Sequence, residues 1–392
     1  MEDDKPLSDA LTHLGREHTA SGRLVNLPIY QGSTMLFDSI SEFRAAKAAR
    51  YEPAKIYYGR YGNPASFELE AMLAELEGGF GCVSVSSGLS AVTFALMSVA
   101  NAGSHVLVAD NVYDPSRAFC STVLTRLGID VEYFDPMSVT DFTGLCRDNT
   151  AAVLFESPGS QTFEVADIPA IAAAARSAGV ISIIDGTWAT PVFCRPLQLG
   201  VDIVVHSGSK YIGGHADTMI GFIVCNEATW QTVRKTCIAF GERPGSQDVF
   251  LTLRGLRTLE MRMDQAYRNG MEIANWMSEQ PQVLKVLHPA FETCPGHECW
   301  KRDFSGASGL FSVILNSAQP DKVDRFVDAL HCFKFGASWG GFESLVLPFD
   351  PRPLRTATGW EEPGSLVRLS IGNENPGTLK KDLSQAMRHL DD

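Results

Sequence analysis

The side chains best suited to covalent chemistry follow predicted β-strands. Lys210 comes directly after a buried strand and a small polar loop, where an amine is accessible yet shielded and therefore suited to react with a carbonyl group. Asp185 ends another strand, and the run Ser86-Ser87-Gly88-Leu89-Ser90 follows a third and opens a helix. A glycine turn at a helix N-terminus offers free N–H groups and a positive dipole end to a phosphate. Because ligands of doubly wound sheets bind beyond the carboxyl ends of the strands, these groups are predicted to share one site.

A phosphate cradle, a carboxylate and an amine together match the needs of pyridoxal phosphate. Its phosphate needs N–H and hydroxyl donors, its pyridine nitrogen needs a carboxylate to stay protonated, and its aldehyde needs a lysine for a Schiff base. Each group alone has an ordinary alternative, since Asp185 could be a helix cap and Lys210 could be one solvated charge among eleven lysines. The combination is more specific, and pyridoxal 5'-phosphate is the predicted cofactor.

Short apolar runs alternate with helical stretches between residues 82 and 224. Their apolar residues are continuous rather than alternating, which is typical of strands buried on both faces. The expected fold is α/β, a mostly parallel seven-stranded sheet with helices on both faces. The predicted strands are Cys82–Val85, His105–Val108, Val131–Phe134, Ala152–Phe155, Val180–Ile184, Asp202–His206 and Gly221–Val224.

Three parts are predicted along the chain. An N-terminal arm (1–57) is irregular apart from one short helix within Phe37–Arg50, a cofactor-binding domain covers 58–250, and a smaller C-terminal α+β domain covers 251–392. The pattern changes near residue 250 because helical stretches there precede widely spaced strands. The other predicted elements are helices at Pro64–Glu77, Ser90–Ala100, Ser116–Leu127, Ile168–Ala178, Val249–Leu259 and Met263–Gln280, and strands at Val283–Val286, Gly309–Leu315 and Leu366–Ile371.

Charge and composition argue against several classes of function. The chain has 33 Lys and Arg against 46 Asp and Glu, a net charge of −13, which disfavours nucleic-acid binding and polybasic docking to a membrane. No apolar run reaches the roughly 18 residues of a membrane span, and the polar N-terminus lacks the apolar core of a signal peptide. The nine scattered cysteines lack a metal-ligand spacing, which favours reduced thiols in a cytoplasmic protein without a metal site.

Ordered motifs along nearly the whole chain resemble one enzyme family. The run Ser207-Gly208-Ser209-Lys210-Tyr211-Ile212-Gly213-Gly214-His215 resembles the cofactor-lysine signature of the pyridoxal-phosphate enzymes of cysteine and methionine metabolism. The resemblance implies a fold-type I, transferase-like architecture. Matching motifs also lie at 58–64, 87–89, 111–114, 156–160, 185–188, 254–259 and 340–345. Within the family, the motifs at 158–160, 296–304 and 338–341 resemble the bacterial cystathionine β-lyase branch.

The resemblance implies roles for individual residues. Lys210 would hold the cofactor and act as the base, Asp185 would pair with the ring nitrogen, and Tyr113 would stack on the ring. Arg368 would clamp the substrate carboxylate, helped by Ser338 and Trp339. Donors to the phosphate would come from Gly88, Leu89, Ser207 and Ser209. Tyr58 and Arg60 would reach the phosphate or substrate of a neighbouring subunit, which implies an oligomer and, by family habit, a homotetramer.

The activity implied by the resemblance is carbon–sulfur β-elimination. L-Cystathionine, or a related S-substituted cysteine, would give a thiol (homocysteine), pyruvate and ammonia. The alternatives are a γ-lyase or γ-replacement synthase of the same family and a specialised cysteine-S-conjugate lyase. A more remote alternative is a non-catalytic regulator that binds pyridoxal phosphate.

Several positions depart from the pattern of the β-lyase branch. Ala337 stands where that branch often has tyrosine, and Gly186 replaces the usual asparagine after the cofactor aspartate. The smaller Ala337 leaves room for a substrate side chain other than that of cystathionine. Departures also occur at 207–209, at 61–64, which is similar to the γ-eliminating and γ-replacing members, and at 373–376.

Overall fold

Two β-sheets organise the chain. A computed structural model describes residues 6–14 and 24–391. The larger sheet has seven strands in the order β1-β7-β6-β5-β4-β2-β3. Its strands are β1 (Gly81–Val85), β2 (His105–Ala109), β3 (Asp130–Phe134), β4 (Thr150–Glu156), β5 (Ile181–Asp185), β6 (Ile203–Ser207) and β7 (Gly221–Cys225).

Six strands of the larger sheet run in one direction, and β7 is antiparallel to both of its neighbours. Strands β1, β2 and β7 are buried along their whole length, as their continuous apolar sequences require. The mostly parallel seven-stranded sheet is therefore confirmed, and the predicted strand ends differ from the observed ones by at most two residues.

Helices pack against this sheet and connect its strands. The helix α3 begins at a capping box, in which Asn63 and Ser66 each accept a hydrogen bond from the other's backbone N–H. The helices are α1 (Leu7–His13), α2 (Ile40–Ala48), α3 (Pro64–Glu77), α4 (Gly88–Val99), α5 (Asp114–Ala118), α6 (Val139–Leu145), α7 (Ile168–Ala178), α8 (Thr190–Phe193), α9 (Glu227–Phe240), α10 (Ser246–Leu256), α11 (Leu259–Ser278), α12 (His297–Asp303), α13 (Pro320–Asp328) and α14 (Pro376–Asp391).

Several helical regions differ from the sequence-based expectation, which has no helix at the positions of α6, α8, α9, α12, α13 and α14. The arm carries a second helix, α1, which packs against α3 and α11. The helix predicted at Ser116–Leu127 is instead the short α5 followed by a π-helical turn at Phe119–Leu124. Pro115 in the first turn of α5 explains why this helix begins earlier than predicted. Proline is favoured there because the N–H groups of a first turn have no hydrogen-bond partner within the helix.

The smaller sheet has five strands in the order β10-β11-β12-β9-β8. Sequence patterns predicted three of them and missed two. β10 has only two residues, and β11 contains Pro348, a residue that lowers the expectation of a strand. The strands are β8 (Val283–Leu287), β9 (Leu310–Leu315), β10 (Lys334–Phe335), β11 (Leu345–Phe349) and β12 (Ser365–Ser370). The predicted division at residues 57 and 250 stays a prediction.

The nine cysteines are all free thiols. Six are buried and three are half-buried, so they serve mainly as small apolar side chains. Within the described ranges, none of the helices combines the length and the apolar character needed to cross a membrane.

Candidate active site

A cavity of about 380 Å³ lies at the carboxyl ends of the parallel strands. Side chains at the ends of β4, β5 and β6 line it together with the start of α4, and the smaller sheet closes it through β12 and the loop before β11. The cavity brings together ten of the twelve predicted site residues: Gly88, Leu89, Tyr113, Asp185, Ser207, Ser209, Lys210, Ser338, Trp339 and Arg368.

The N-terminus of α4 forms one end of the cavity. Ser87 caps the helix by accepting a hydrogen bond from the Ser90 N–H at 3.1 Å, while the N–H groups of Gly88 and Leu89 have no partner within the helix. A Cβ on Gly88 would lie 2.5 Å from the Cβ of Ser207, so only glycine lets α4 approach β6 this closely. The Ser209 hydroxyl accepts a hydrogen bond from the Ile220 N–H at 3.1 Å. This end of the cavity can hold a phosphate group.

Asp185 ends β5 at the cavity. Its Oδ1 accepts hydrogen bonds from the Thr187 N–H (2.9 Å) and hydroxyl, whereas Oδ2 has no protein donor among the described residues. Removal from water raises the pKa of this carboxyl, and the Thr187 hydrogen bonds and the Lys210 charge oppose the rise. A carboxylate in this state favours a cationic partner, such as a protonated pyridine nitrogen.

Lys210 lies in the turn after β6, beside the loop from the smaller sheet. Its Nζ donates to the Ser338 Oγ at 2.8 Å and lies 5.3 Å from the centre of the Trp339 ring. Burial and the charge of Arg368 together lower the pKa of this amine to about 8, although Asp185 opposes both effects. About a tenth of Lys210 is therefore neutral and nucleophilic at pH 7, far more than for an ordinary lysine.

Arg368 lies in the middle of β12, and its guanidinium reaches the cavity. Its Nη2 donates to the carbonyl oxygens of Ala337 (3.3 Å) and Ser338 (3.0 Å), which leaves its other N–H groups for a ligand. Burial lowers the pKa of Arg368 to about 10, yet the group remains a cation at neutral pH. A buried arginine with free donors suits a carboxylate ligand, because two guanidinium N–H groups can donate to the two carboxylate oxygens at once.

Glu156 is a site residue to which sequence reasoning gave no role. It ends β4 in register with Asp185, accepts a hydrogen bond from the Tyr113 N–H at 2.7 Å, and accepts another from the Ser160 hydroxyl at 2.7 Å. Burial and the nearby Asp185 raise its pKa to about 8, although the hydrogen bonds from Ser160 and Tyr113 oppose the rise. The strand-end rule that identified Asp185 would also have identified Glu156, because the two strands are neighbours.

Tyr58 and Arg60 do not line the cavity of their own chain. Both are exposed, the guanidinium of Arg60 donates to the Ile238 carbonyl, and it stacks over the Tyr61 ring at 4.9 Å. Their predicted contact with a neighbouring subunit stays a prediction.

Two of the departures from the β-lyase pattern have local physical reasons. A Cβ on Gly186 would lie 2.9 Å from the buried His206 ring, so the neighbouring strand leaves no room for a larger residue. Asn63 and Pro64 begin α3, which is a structural role. Ala337 lines a second pocket, of about 220 Å³, beside the cavity.

The residues of the cavity fit pyridoxal phosphate. The unpaired Oδ2 of Asp185 suits the ring nitrogen, the Lys210 amine suits the aldehyde, and the open N–H groups of Gly88 and Leu89 suit the phosphate. A mostly parallel sheet with such a site at its carboxyl edge defines a fold-type I pyridoxal-phosphate enzyme.

The chain belongs to the Cys/Met metabolism PLP-dependent enzyme family, whose model matches residues 9–388. It is 38% identical over 393 residues to the cystathionine beta-lyase MetC of Escherichia coli (strain K12), with 99% of each chain covered. It is 40% identical over 390 residues to the cystathionine beta-lyase of Bordetella avium, with 98% of each covered.

Relatives with other names match as well. The chain is 36% identical over 390 residues to the L-alanine/L-glutamate racemase of Wolbachia pipientis wMel, covering 97% of this chain and 96% of that protein. The crystal structure of cystathionine gamma-lyase from Lactobacillus plantarum, complexed with L-serine, matches with a TM-score of 0.89 and 28% identity, covering 99% of this chain and 100% of that one. Family membership confirms the predicted cofactor and the class of pyridoxal-phosphate-dependent carbon–sulfur lyase enzymes.

Proposed function

We propose that the protein catalyses β-elimination of S-substituted L-cysteines and that L-cystathionine is a substrate. The thioether and one water are converted to a thiol (homocysteine from cystathionine), pyruvate and ammonium. The observation that carries the proposal is the placement of Lys210, a partly neutral amine whose Nζ lies 2.8 Å from the Ser338 Oγ. The charges of Arg368 and Asp185 both act on this amine.

Arg368 binds the substrate, and Lys210 acts as the base. The free N–H groups of Arg368 bind the α-carboxylate and hold the α-carbon beside the lysine. Lys210 in its neutral form removes the α-proton, and a pKa of about 8 suits a base that works near neutral pH. Ser338 orients the amine, since its hydroxyl accepts the Lys210 hydrogen bond.

Asp185 and Tyr113 support the cofactor. Bound pyridoxal phosphate supplies an aldehyde that captures the substrate amine and a ring that accepts the electron pair left at the α-carbon. Asp185 would keep the ring nitrogen protonated through its free Oδ2, and Tyr113, whose N–H donates to Glu156, would stack on the ring. The thiolate leaves from the β-carbon once the α-proton is lost.

The names of the relatives favour β- over γ-elimination. Two full-length relatives at 38% and 40% identity are named cystathionine beta-lyases. Because the same fold also serves a gamma-lyase and the family includes a racemase, the products decide among the reactions.

We further propose that the protein works as an oligomer, by family habit a homotetramer. The exposed large apolar side chains of residues 24–58 support this assembly, since such a surface is typical of an interface. They are Leu24, Val25, Ile29, Leu36, Ile40, Phe43, Ile56 and Tyr58.

A substrate panel tests the proposed reaction. The cofactor-loaded protein is incubated with L-cystathionine, S-ethyl-L-cysteine, L-methionine and L-alanine, and the products are identified by mass spectrometry and chiral chromatography. Pyruvate from the two cysteine thioethers supports the proposal. 2-Oxobutyrate would instead show γ-elimination, a new thioether would show γ-replacement, and D-alanine alone would show a racemase.

A further inference from the structure

A second pocket opens beside the active-site cavity and shares part of its wall. This distal pocket, of about 220 Å³, is lined by Val112, Asp114, Ala337, Leu347, Phe349 and Arg355, among others. It shares Tyr113, Ser160, Gln161 and Arg368 with the cavity. When the α-carboxylate of a substrate binds Arg368, the substituent on its sulfur can therefore extend into the distal pocket.

Most charged groups around the distal pocket already have partners in the protein. Both carboxylate oxygens of Asp110 accept hydrogen bonds from the segment 356–358 and one of them accepts a bond from Arg117. Arg355 donates to Glu164 at 2.8 Å and to Thr162 at 2.6 Å. These groups hold the wall together and have little capacity left for a ligand.

Gln161 is the exception in this wall. Its side-chain Oε1 is buried without a hydrogen-bond partner, and its backbone adopts a φ of +68°, which a residue with a side chain rarely adopts. Neighbouring contacts hold it there, because the Ser312 hydroxyl donates to the Gln161 carbonyl at 2.6 Å. A strained backbone and an unpaired amide at the junction of two pockets indicate a ligand contact.

Asp114 supplies a complementary charge at the same pocket. It is exposed, and its carboxylate makes no hydrogen bond or ion pair within the described residues. A free amide and a free carboxylate together match the two charged ends of an amino acid. The unpaired Oε1 of Gln161 and the carboxylate of Asp114 can both accept from an ammonium group, and the amide N–H groups of Gln161 can donate to a carboxylate.

We infer that Gln161 is a specificity-determining residue that binds the distal amino-acid group of the substrate, with Asp114 as the partner of its ammonium. The inference rests on the proposed function and narrows the substrate class to thioethers that carry a second amino acid beyond the sulfur. A purely apolar substituent would leave the buried amide oxygen unpaired. Such a substituent is therefore disfavoured despite the small Ala337.

Steady-state kinetics with two substrates test this inference. In Gln161→Leu, the KM for L-cystathionine rises about 10- to 100-fold, the loss expected for a hydrogen bond to a charged group, while kcat changes little. The KM for S-ethyl-L-cysteine, which has no distal amino acid, stays within about twofold. Equal KM changes for the two substrates, or none, would overturn the inference. Gln231→Leu, on the exposed face of α9, is the matched control.

Two further measurements separate the loss of the Gln161 contact from an unfolded variant and from a failure of the proposed function. If the leucine variant unfolds, Gln161→Met replaces it, because methionine has a similar length but lacks both the amide oxygen and the amide N–H groups. Asp114→Asn is expected to raise the cystathionine KM most at low salt. Binding is also measured by calorimetry with 2,7-diaminooctanedioate, the carbon analogue of cystathionine, against 2-aminohexanoate. The wild type could bind both carbon analogues and yet release no pyruvate from L-cystathionine or S-ethyl-L-cysteine. The proposed function would then fail, while the difference in Kd between the two analogues would still test the Gln161 contact. An equal loss of affinity for both analogues in Gln161→Leu would refute the contact.

Discussion

Lys210 is an amine whose surroundings disfavour its charge. Burial and the Arg368 cation lower its pKa to about 8, from an ordinary value of 10.5. The neutral amine becomes more abundant as the pH rises through that value, so a base of this kind gains activity with increasing pH. Arg368 thus has two effects, because it binds the substrate carboxylate and also holds the base closer to its working form.

Replacing Lys210 with alanine removes both the bond to the cofactor and the base. We expect Lys210→Ala to lose the absorbance near the edge of the visible range and to lose at least 10³-fold in pyruvate formation, since an acid–base group contributes about 10²–10⁴-fold. The absorption spectrum and a pyruvate assay check this outcome. Lys235→Ala, which changes an exposed lysine on α9, is the control. Full turnover in the Lys210 variant would contradict the mechanism.

The individual residues of the site differ in how far sequence reveals them. Lys210, Asp185 and the start of α4 follow strands with clear apolar runs, so the strand-end rule predicts from sequence that they share one site. Glu156 follows the same rule, but its role depends on the pairing of β4 with β5, which the sequence of its own motif does not show. Gln161 could not have been found, because its importance lies in a backbone angle and an unpaired oxygen.

At the scale of elements, two neighbouring strands end in carboxylates. Glu156 on β4 and Asp185 on β5 are in register, and burial raises the pKa of both. In the cofactor-free protein, Glu156 therefore holds a proton that it would lose in the unfolded chain. The stability that it contributes is full below its ordinary pKa of 4.5 and is lost as the pH rises through about 8.

Glu156→Gln removes this titration while keeping an acceptor for the Tyr113 N–H. We expect the cofactor-free variant to melt a few °C above the wild type at pH 8.5 and close to it at pH 5.5. Thermal unfolding followed by circular dichroism at the two values measures the difference. Melting curves that shift in parallel at both pH values would show that Glu156 does not titrate in this range.

The approach of α4 to β6 depends on Gly88. Its Cβ would lie 2.5 Å from that of Ser207 and 2.9 Å from the Ser207 Cα, which is backbone and cannot move aside cheaply. We expect Gly88→Ala to weaken cofactor binding at least tenfold, measured by titrating the cofactor-free protein with pyridoxal phosphate. Gly144→Ala, on α6 with nothing within 4 Å of its Cβ position, should bind the cofactor normally. Normal binding by both variants would refute the close-approach argument.

The elements themselves show where sequence patterns suffice. Helix α7 was predicted with both ends correct because its alanine-rich sequence and its Asp167 cap agree. The strands β10 and β11 were missed, since a two-residue strand has no periodicity and a proline within a run argues against one. Long, locally consistent segments are predictable, whereas short edge elements depend on their neighbours.

At the scale of the whole molecule, two predicted site residues lie away from the site. Tyr58 and Arg60 are exposed and outside their own cavity, and they follow a segment rich in exposed apolar side chains. If these residues complete the cavity of another copy, the active unit is at least a dimer in which each site uses two chains.

Mixed oligomers test this arrangement. Lys210→Ala and Arg60→Ala subunits are each expected to have little activity, and unfolding and refolding them together should restore about a quarter of the wild-type activity, because half of the dimers are hybrids with one intact site. A pyruvate assay of the refolded mixture measures the recovery. No recovery, with oligomers of normal size by light scattering, would show that Arg60 acts within its own chain.

All nine cysteines are free thiols, in a protein whose proposed reaction releases a thiol at the active site. Burial raises the pKa of every one of the nine, so at neutral pH they are thiols and hardly ever thiolates. Since disulfide exchange proceeds through the thiolate, these side chains are poor partners for oxidised sulfur compounds. The chain can therefore handle reactive sulfur without becoming crosslinked to it.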